Sequence, residues 1–117
     1  MATDFRNGAF PRRGRDPLDG YLWLGRVFDK ARAARDGTIH DYIYPCPMDQ
    51  GVFERWGITP AQFEKALETH TTDDAMAAWL DERVSEEARE SANRWLLEEK
   101  RENLDRQDGE EVAIPAG

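Results

Sequence analysis

The sequence predicts an all-α domain: a small bundle of about five helices, with one non-helical insert at residues 38–48 and a long C-terminal helix. Three observations carry that prediction. Apolar residues recur at three- and four-residue spacing over most of the chain. Capping residues and prolines stand just ahead of these runs, with glycines just after them. Residues with β propensity gather in one place only, residues 39–44, and a single isolated strand has nothing to pair with.

The first helix is expected over 17–36. Asp16 offers an N-cap acceptor, Pro17 suits the first turn, and Gly37 follows as a terminator. Between them Leu24, Val27, Phe28, Ala31 and Ala34 share a face. Asp49 is expected to cap a short second helix that stops at Gly57. Thr59-Pro60-Ala61-Gln62 reads as a capping box opening a third, with Phe63, Ala66 and Leu67 inward. Thr72 starts a fourth, with Ala75, Met76, Trp79 and Leu80 on one stripe. Ser85 caps the last, whose first turn carries Glu86 and Glu87 at its positive end. That helix is expected to run to Asp108, about 34 Å at 1.5 Å per residue. Only Leu104 is apolar after Leu97 and before Gly109, so its final three turns are expected to project into water. Residues 1–108 thus form one domain, with 1–15 a flexible basic arm and 109–117 a disordered tail.

The chain has 117 residues, one cysteine and a net charge of −8. A core of this size needs no disulfide or metal to hold it. Charge is unevenly placed: residues 1–45 carry a balance of +2 and residues 46–117 one of −10. An acidic body lacks the basic face that displaces counterions from phosphate, so nucleic acid is not an expected partner. No run approaches the ~18 apolar residues of a membrane span, and a cytoplasmic location is expected.

The run GYLWLGRVFDKARAARDGTIHDYIYPCPMD, residues 20–49, carries a resemblance. Its matching pieces are Gly20 to Leu24, Arg26, Asp29-Lys30-Ala31-Arg32, Gly37-Thr38 and Tyr42-x-Tyr44-Pro45-Cys46-Pro47-x-Asp49. Through Phe53, Gly57, Phe63, Asp73-Asp74 and Trp79-Leu80 it extends over residues 10–84. On these residues the chain resembles a bacterial family named domain-of-unknown-function family 5069. The resemblance implies no activity, substrate or cofactor.

Polar and aromatic residues concentrate between Arg26 and Asp49, and any ligand or chemistry is expected there. Arg26 and Lys30 lie four apart, so both cations can reach one anion, while Asp29 and Arg32 lie along another edge. The alternative is a solvated charged face. Pro45 and Pro47 stiffen the backbone around Cys46, which suits a nucleophile as well as it suits a packed thiol. Asp49 is a helix cap or a general base. Tyr42 and Tyr44, two apart, line a pocket or wall the core. The candidate catalytic set is Tyr44, Cys46 and Asp49; the candidate binding set is Arg26, Asp29, Lys30, Arg32 and Tyr42. With two histidines thirty residues apart, no metal constellation and no cofactor are expected.

Two function classes follow. One is a site for a small polar or anionic molecule between helix 17–36 and the 38–49 loop, possessing or lacking a catalytic step. The other is a non-catalytic interaction module, in which the acidic C-terminal helix meets a basic protein or a second copy of the chain.

Overall fold

The computed structural model describes residues 4–111. Among these the chain forms six α-helices and one π-helical turn. They are α1 (Leu24–Asp36), α2 (Pro47–Trp56), α3 (Pro60–Ala66), α4 (Asp73–Asp81), α5 (Glu86–Arg94), the π turn (Trp95–Glu99) and α6 (Arg101–Glu110). Within them, the only β pairing is a bridge between Leu18 and Tyr21. The all-helical reading holds, while the arrangement differs from five helices ending in one long rod.

The middle of the chain follows its capping signals. Thr59 and Gln62 form the reciprocal box that opens α3, at 3.1 and 2.8 Å. Thr72 and Ser85 cap α4 and α5 through the N–H groups of Ala75 and Ala88. The inward stripes meet as an aromatic core: Phe53 packs 5.1 Å from Phe63, and Tyr21 lies edge-on to Trp56 at 5.6 Å. Phe28, Met76, Leu80 and Leu96 complete it without exposure.

Three expectations are corrected. The Asp16-Pro17 signal does not start α1, because residues 18–23 have stronger tertiary demands. Leu18 and Tyr21 exchange backbone hydrogen bonds at 3.0 Å, and Tyr21 and Trp23 are wholly buried. The Asn93 side chain accepts from Leu22 N–H at 3.1 Å and donates to the Gly20 carbonyl at 2.9 Å. Trp23, at the N-cap, takes φ 74°, a left-handed conformation rare for a bulky residue. Its amide donates to the Gly14 carbonyl at 2.7 Å, one of the contacts that hold it there.

Residues 4–15 also depart from a solvated arm. Phe5 is 2% exposed and donates its amide to the Thr38 carbonyl at 2.9 Å. Gly14 lies so close to the Trp23 indole that a Cβ there would collide with it. Arg12 reaches Asp29 and Asp73. Burial of one aromatic and pairing of the arginines therefore bind this segment to the helices; residues 1–3 lie outside the described residues.

The C-terminal helix is not one overhanging rod. The π turn inserts at Trp95–Glu99, and Lys100 leaves helical geometry with φ −111° and ψ 17°. Such bulges bend helices, and α6 returns along the N-terminal segment. Leu104 is buried, and Arg15 pairs with Asp105 and Asp108, each at 2.6 Å. Gly109 lies inside α6. The rest of the expected tail, residues 112–117, is outside the described residues.

Candidate functional site

α2 begins two residues before the expected Asp49. Cys46 is its N-cap, Pro47 its first residue, and Asp49 stands at the third position of a reciprocal capping box. Asp49 N–H donates to Cys46 Sγ at 3.5 Å, while Cys46 N–H donates to Asp49 Oδ2 at 2.9 Å. The non-helical insert thus ends at residue 46, not 48. A thiol takes the place usually held by a hydroxyl or carboxylate, which a search for standard caps passes over.

The capping box is half of a larger network. Lys30 projects from α1 and donates from Nζ to Asp49 Oδ2 at 2.8 Å and to Cys46 Sγ at 3.3 Å. Trp23 Nε1 donates to Asp49 Oδ1 at 2.7 Å. Asp49 has no exposed surface and Lys30 is 3% exposed. Both carboxylate oxygens are therefore occupied, by an indole N–H on one side and by an ammonium and an amide on the other. A buried pair of this kind is tolerable only when its remaining hydrogen-bonding capacity is met, and here Trp23 and the α2 N-terminus meet it.

The other expected binding residues belong to two further networks. Asp29, 2% exposed, accepts from the Arg12 backbone and side chain and from Arg32 Nη2 at 2.8 Å. Arg12 also clamps Asp73 at 2.8 and 3.0 Å, and this hydrogen bond holds the Asp73 carboxyl below its ordinary range. Arg26 makes a bidentate pair with Glu111, at 2.8 and 2.7 Å, beneath Tyr42 and Trp23. Burial and the adjacent Glu111 push the Tyr42 hydroxyl up to about 12. Arg26 and Lys30 thus do not converge on one open anion position: each already holds a carboxylate of its own chain.

Tyr44 faces elsewhere. Its ring packs edge-on against Phe53, and its hydroxyl donates to Glu64 Oε2 at 3.3 Å. Burial, Glu64 and Asp49 raise its ionisation well above that of free tyrosine, so it remains a hydrogen-bond donor at neutral pH. Here the α1 surface and the 44–45 segment enclose a groove of about 300 Å³, floored by Ala31, Ala34, Pro45 and Leu67 and flanked by Arg35, Tyr44 and Glu64. The structure thus unites Lys30, Cys46 and Asp49, sends Arg26 with Tyr42 and Asp29 with Arg32 to separate networks, and leaves Tyr44 at an opening.

Sequence reasoning missed Arg12, Glu64 and Glu111 as partners. Arg12 lay in the supposed arm and Glu111 in the supposed tail, and neither position carries a local signal. Glu64 looked like any solvent-facing residue of a short helix. Neither histidine is a hydrogen-bond partner of Cys46: His40 borders a recess with Phe5, Phe10 and Tyr42, and His70 borders one between α3 and α4. Among the described residues no group of three or more His, Cys, Asp or Glu is placed to hold a metal ion, and no helix is long and apolar enough to cross a membrane.

No curated protein matches the chain. The family match covers residues 8–114, and so takes in α6, which lies outside the stretch on which the motif resemblance rested. Over that span the chain belongs to the family described as a domain of unknown function, DUF5069.

Proposed function

We propose that the protein binds a small polar molecule in the groove between α1 and the 44–45 segment, with Tyr44, Glu64 and Arg35 as its polar contacts. The observation that carries this reading is the pairing of an apolar floor with three polar side chains at its edge, the usual composition of a small-molecule site. Arg35 supplies a cation, Glu64 an anion and Tyr44 a donor. A ligand with an acidic group and a hydrogen-bond donor on a compact apolar body satisfies all three. Lys30, Cys46 and Asp49 are the support beneath, fixing the start of α2 and hence the segment that carries Tyr44. Asp49, with both oxygens bonded and no exposed surface, presents no oxygen to a substrate.

The test is a thermal-shift survey over small polar metabolites. A ligand is expected to raise the melting temperature of the wild type. Glu64→Gln and Tyr44→Phe are expected to lose that shift while unfolding near the wild-type temperature. No shift from any compound, or a shift that survives both substitutions, overturns the reading.

A second reading keeps the C-terminal region as an interaction surface. Glu98, Glu99, Glu102 and Asp105 share a shallow recess with Arg101 at the junction of the π turn and α6, which suits a basic protein partner or a second copy. Sedimentation at low and high salt tests self-association, and a monomer under both conditions removes the second-copy version.

A further inference from the structure

We infer a second recognition site, for a small oxyanion (a carboxylate or a phosphate), in the groove between α3 and α4. This groove has a volume of about 420 Å³ and is lined by Lys65, His70, Arg83, Gln62 and Trp79, with Glu68 on its wall. It is independent of the Tyr44 groove.

Cations are used differently in different parts of the molecule. Along α1, Arg26, Lys30 and Arg32 each hold a buried carboxylate of the same chain, and an incoming anion would have to displace it. In the α3–α4 groove the cations are not consumed in this way. The Lys65 carbonyl accepts from the Glu68 amide at 3.2 Å, while its ammonium makes no hydrogen bond or ion pair among the described residues. Arg83 donates from Nη1 to the Trp79 carbonyl at 3.0 Å, and among the described residues its one carboxylate partner is the adjacent, exposed Glu82 at 3.5 Å. Its guanidinium carbon lies 4.4 Å from the centre of the Trp79 ring, a stacking that orients the fork. His70 stands on the same wall, its Nδ1 held 3.0 Å from Thr69 Oγ1 and 3.1 Å from the Ala66 carbonyl.

Cations at helix C-termini are favourable in themselves; Lys65 lies in the last turn of α3, and Arg83 follows Glu82, the C-cap of α4. That preference explains each residue singly. It does not supply a common concavity, a tryptophan wall and a neutral amide donor, Gln62, beside them. These additions match an anion attached to a flat or apolar body. The site also opposes the overall charge of −8, so attraction there is local and depends on Lys65 and Arg83.

The probes are inorganic phosphate and benzoate, each titrated into the intact protein at constant ionic strength and followed by amide chemical shifts. The site predicts saturable shifts from one or both anions, confined to residues 62–70 and 79–83. A response to phosphate alone marks a phosphate site, and a response to benzoate marks a carboxylate site with apolar recognition. The Lys65→Gln and Arg83→Gln variants, both at exposed or rim positions, should each weaken the dissociation constant at least about fivefold, as expected for losing a charge-assisted contact. Lys65→Arg should restore most of it. Absence of saturable shifts with both anions overturns the proposal. So do shifts centred elsewhere, or an affinity unchanged in a folded Lys65→Gln/Arg83→Gln double variant.

Discussion

On one side of α1, Arg26, Asp29 and Lys30 are each at most 3% exposed, and each is matched by an opposite charge from another part of the chain. On the other side, Ala31, Ala34 and Arg35 border a groove, and Arg35, paired with its exposed neighbour Asp36 at 3.1 Å, keeps 43% of its side chain in solvent. The two sides share one helix and similar residue types. The difference is what lies opposite: the first side meets α2, the 4–15 segment and the end of α6, while the second meets only the 44–45 segment and α3. Residue type alone does not mark a site. A charge that finds its partner inside the fold serves as scaffold, and a charge left at an opening can serve a ligand.

The comparison is broken most severely by Lys30→Ala. This change leaves the Asp49 charge buried without its counter-ion, and a loss of about 3–5 kcal/mol is expected by chemical denaturation. A loss under about 1 kcal/mol would place Asp49 in a far more solvated setting than its geometry implies. Acid provides a gentler test of the same side. Because Arg12 lowers the Asp73 carboxyl in the folded state, the pair contributes stability above the ordinary aspartate range. That contribution is lost as pH falls below 3.8, the unperturbed value, and through the lower folded one. Asp73→Asn should therefore flatten the stability curve in that acid range, and a curve as steep as the wild type's would assign the acid loss to other carboxylates.

Cys46→Ser should cost less than about 1 kcal/mol, since serine is a better N-cap acceptor than a thiol. If Cys46 is a cap and not a nucleophile, this variant also keeps ligand binding intact. The smallest expected effect is that of Tyr44→Phe on stability. It removes one solvent-exposed 3.3 Å bond and keeps the half-buried ring, a change worth a few tenths of a kcal/mol, so any loss of binding in this variant belongs to the ligand and not to the fold.

The sequence-based reading succeeded where structure is local. Thr59-Pro60-Ala61-Gln62, Thr72 and Ser85 act on amides three residues away, so the spacing alone reveals the helix starts. The reading failed where one residue answers to a distant one. Asp16-Pro17 is a sound helix start, overridden because Trp23 must bury its indole against Asp49, 26 positions on. The path of α6 depends on a π turn and on Arg15, 90 residues before its partner Asp105. For the candidate site, the concentration of charged and aromatic residues in 26–49 was legible. Their division into an internal network and an open groove was not, because it depends on Arg12, Glu64 and Glu111, whose roles exist only in three dimensions.

The account rests on the charges beside α1 being satisfied within the fold, and Lys30 reports on this directly. The chain has three lysines, Lys30, Lys65 and Lys100, so a side-chain ammonium spectrum recorded near neutral pH and low temperature resolves the question. The account predicts a Lys30 ammonium that exchanges slowly with water and does not move when phosphate is added, while those of Lys65 and Lys100 exchange fast. A Lys30 ammonium that exchanges as fast as that of Lys100, or that shifts on adding phosphate, would contradict it.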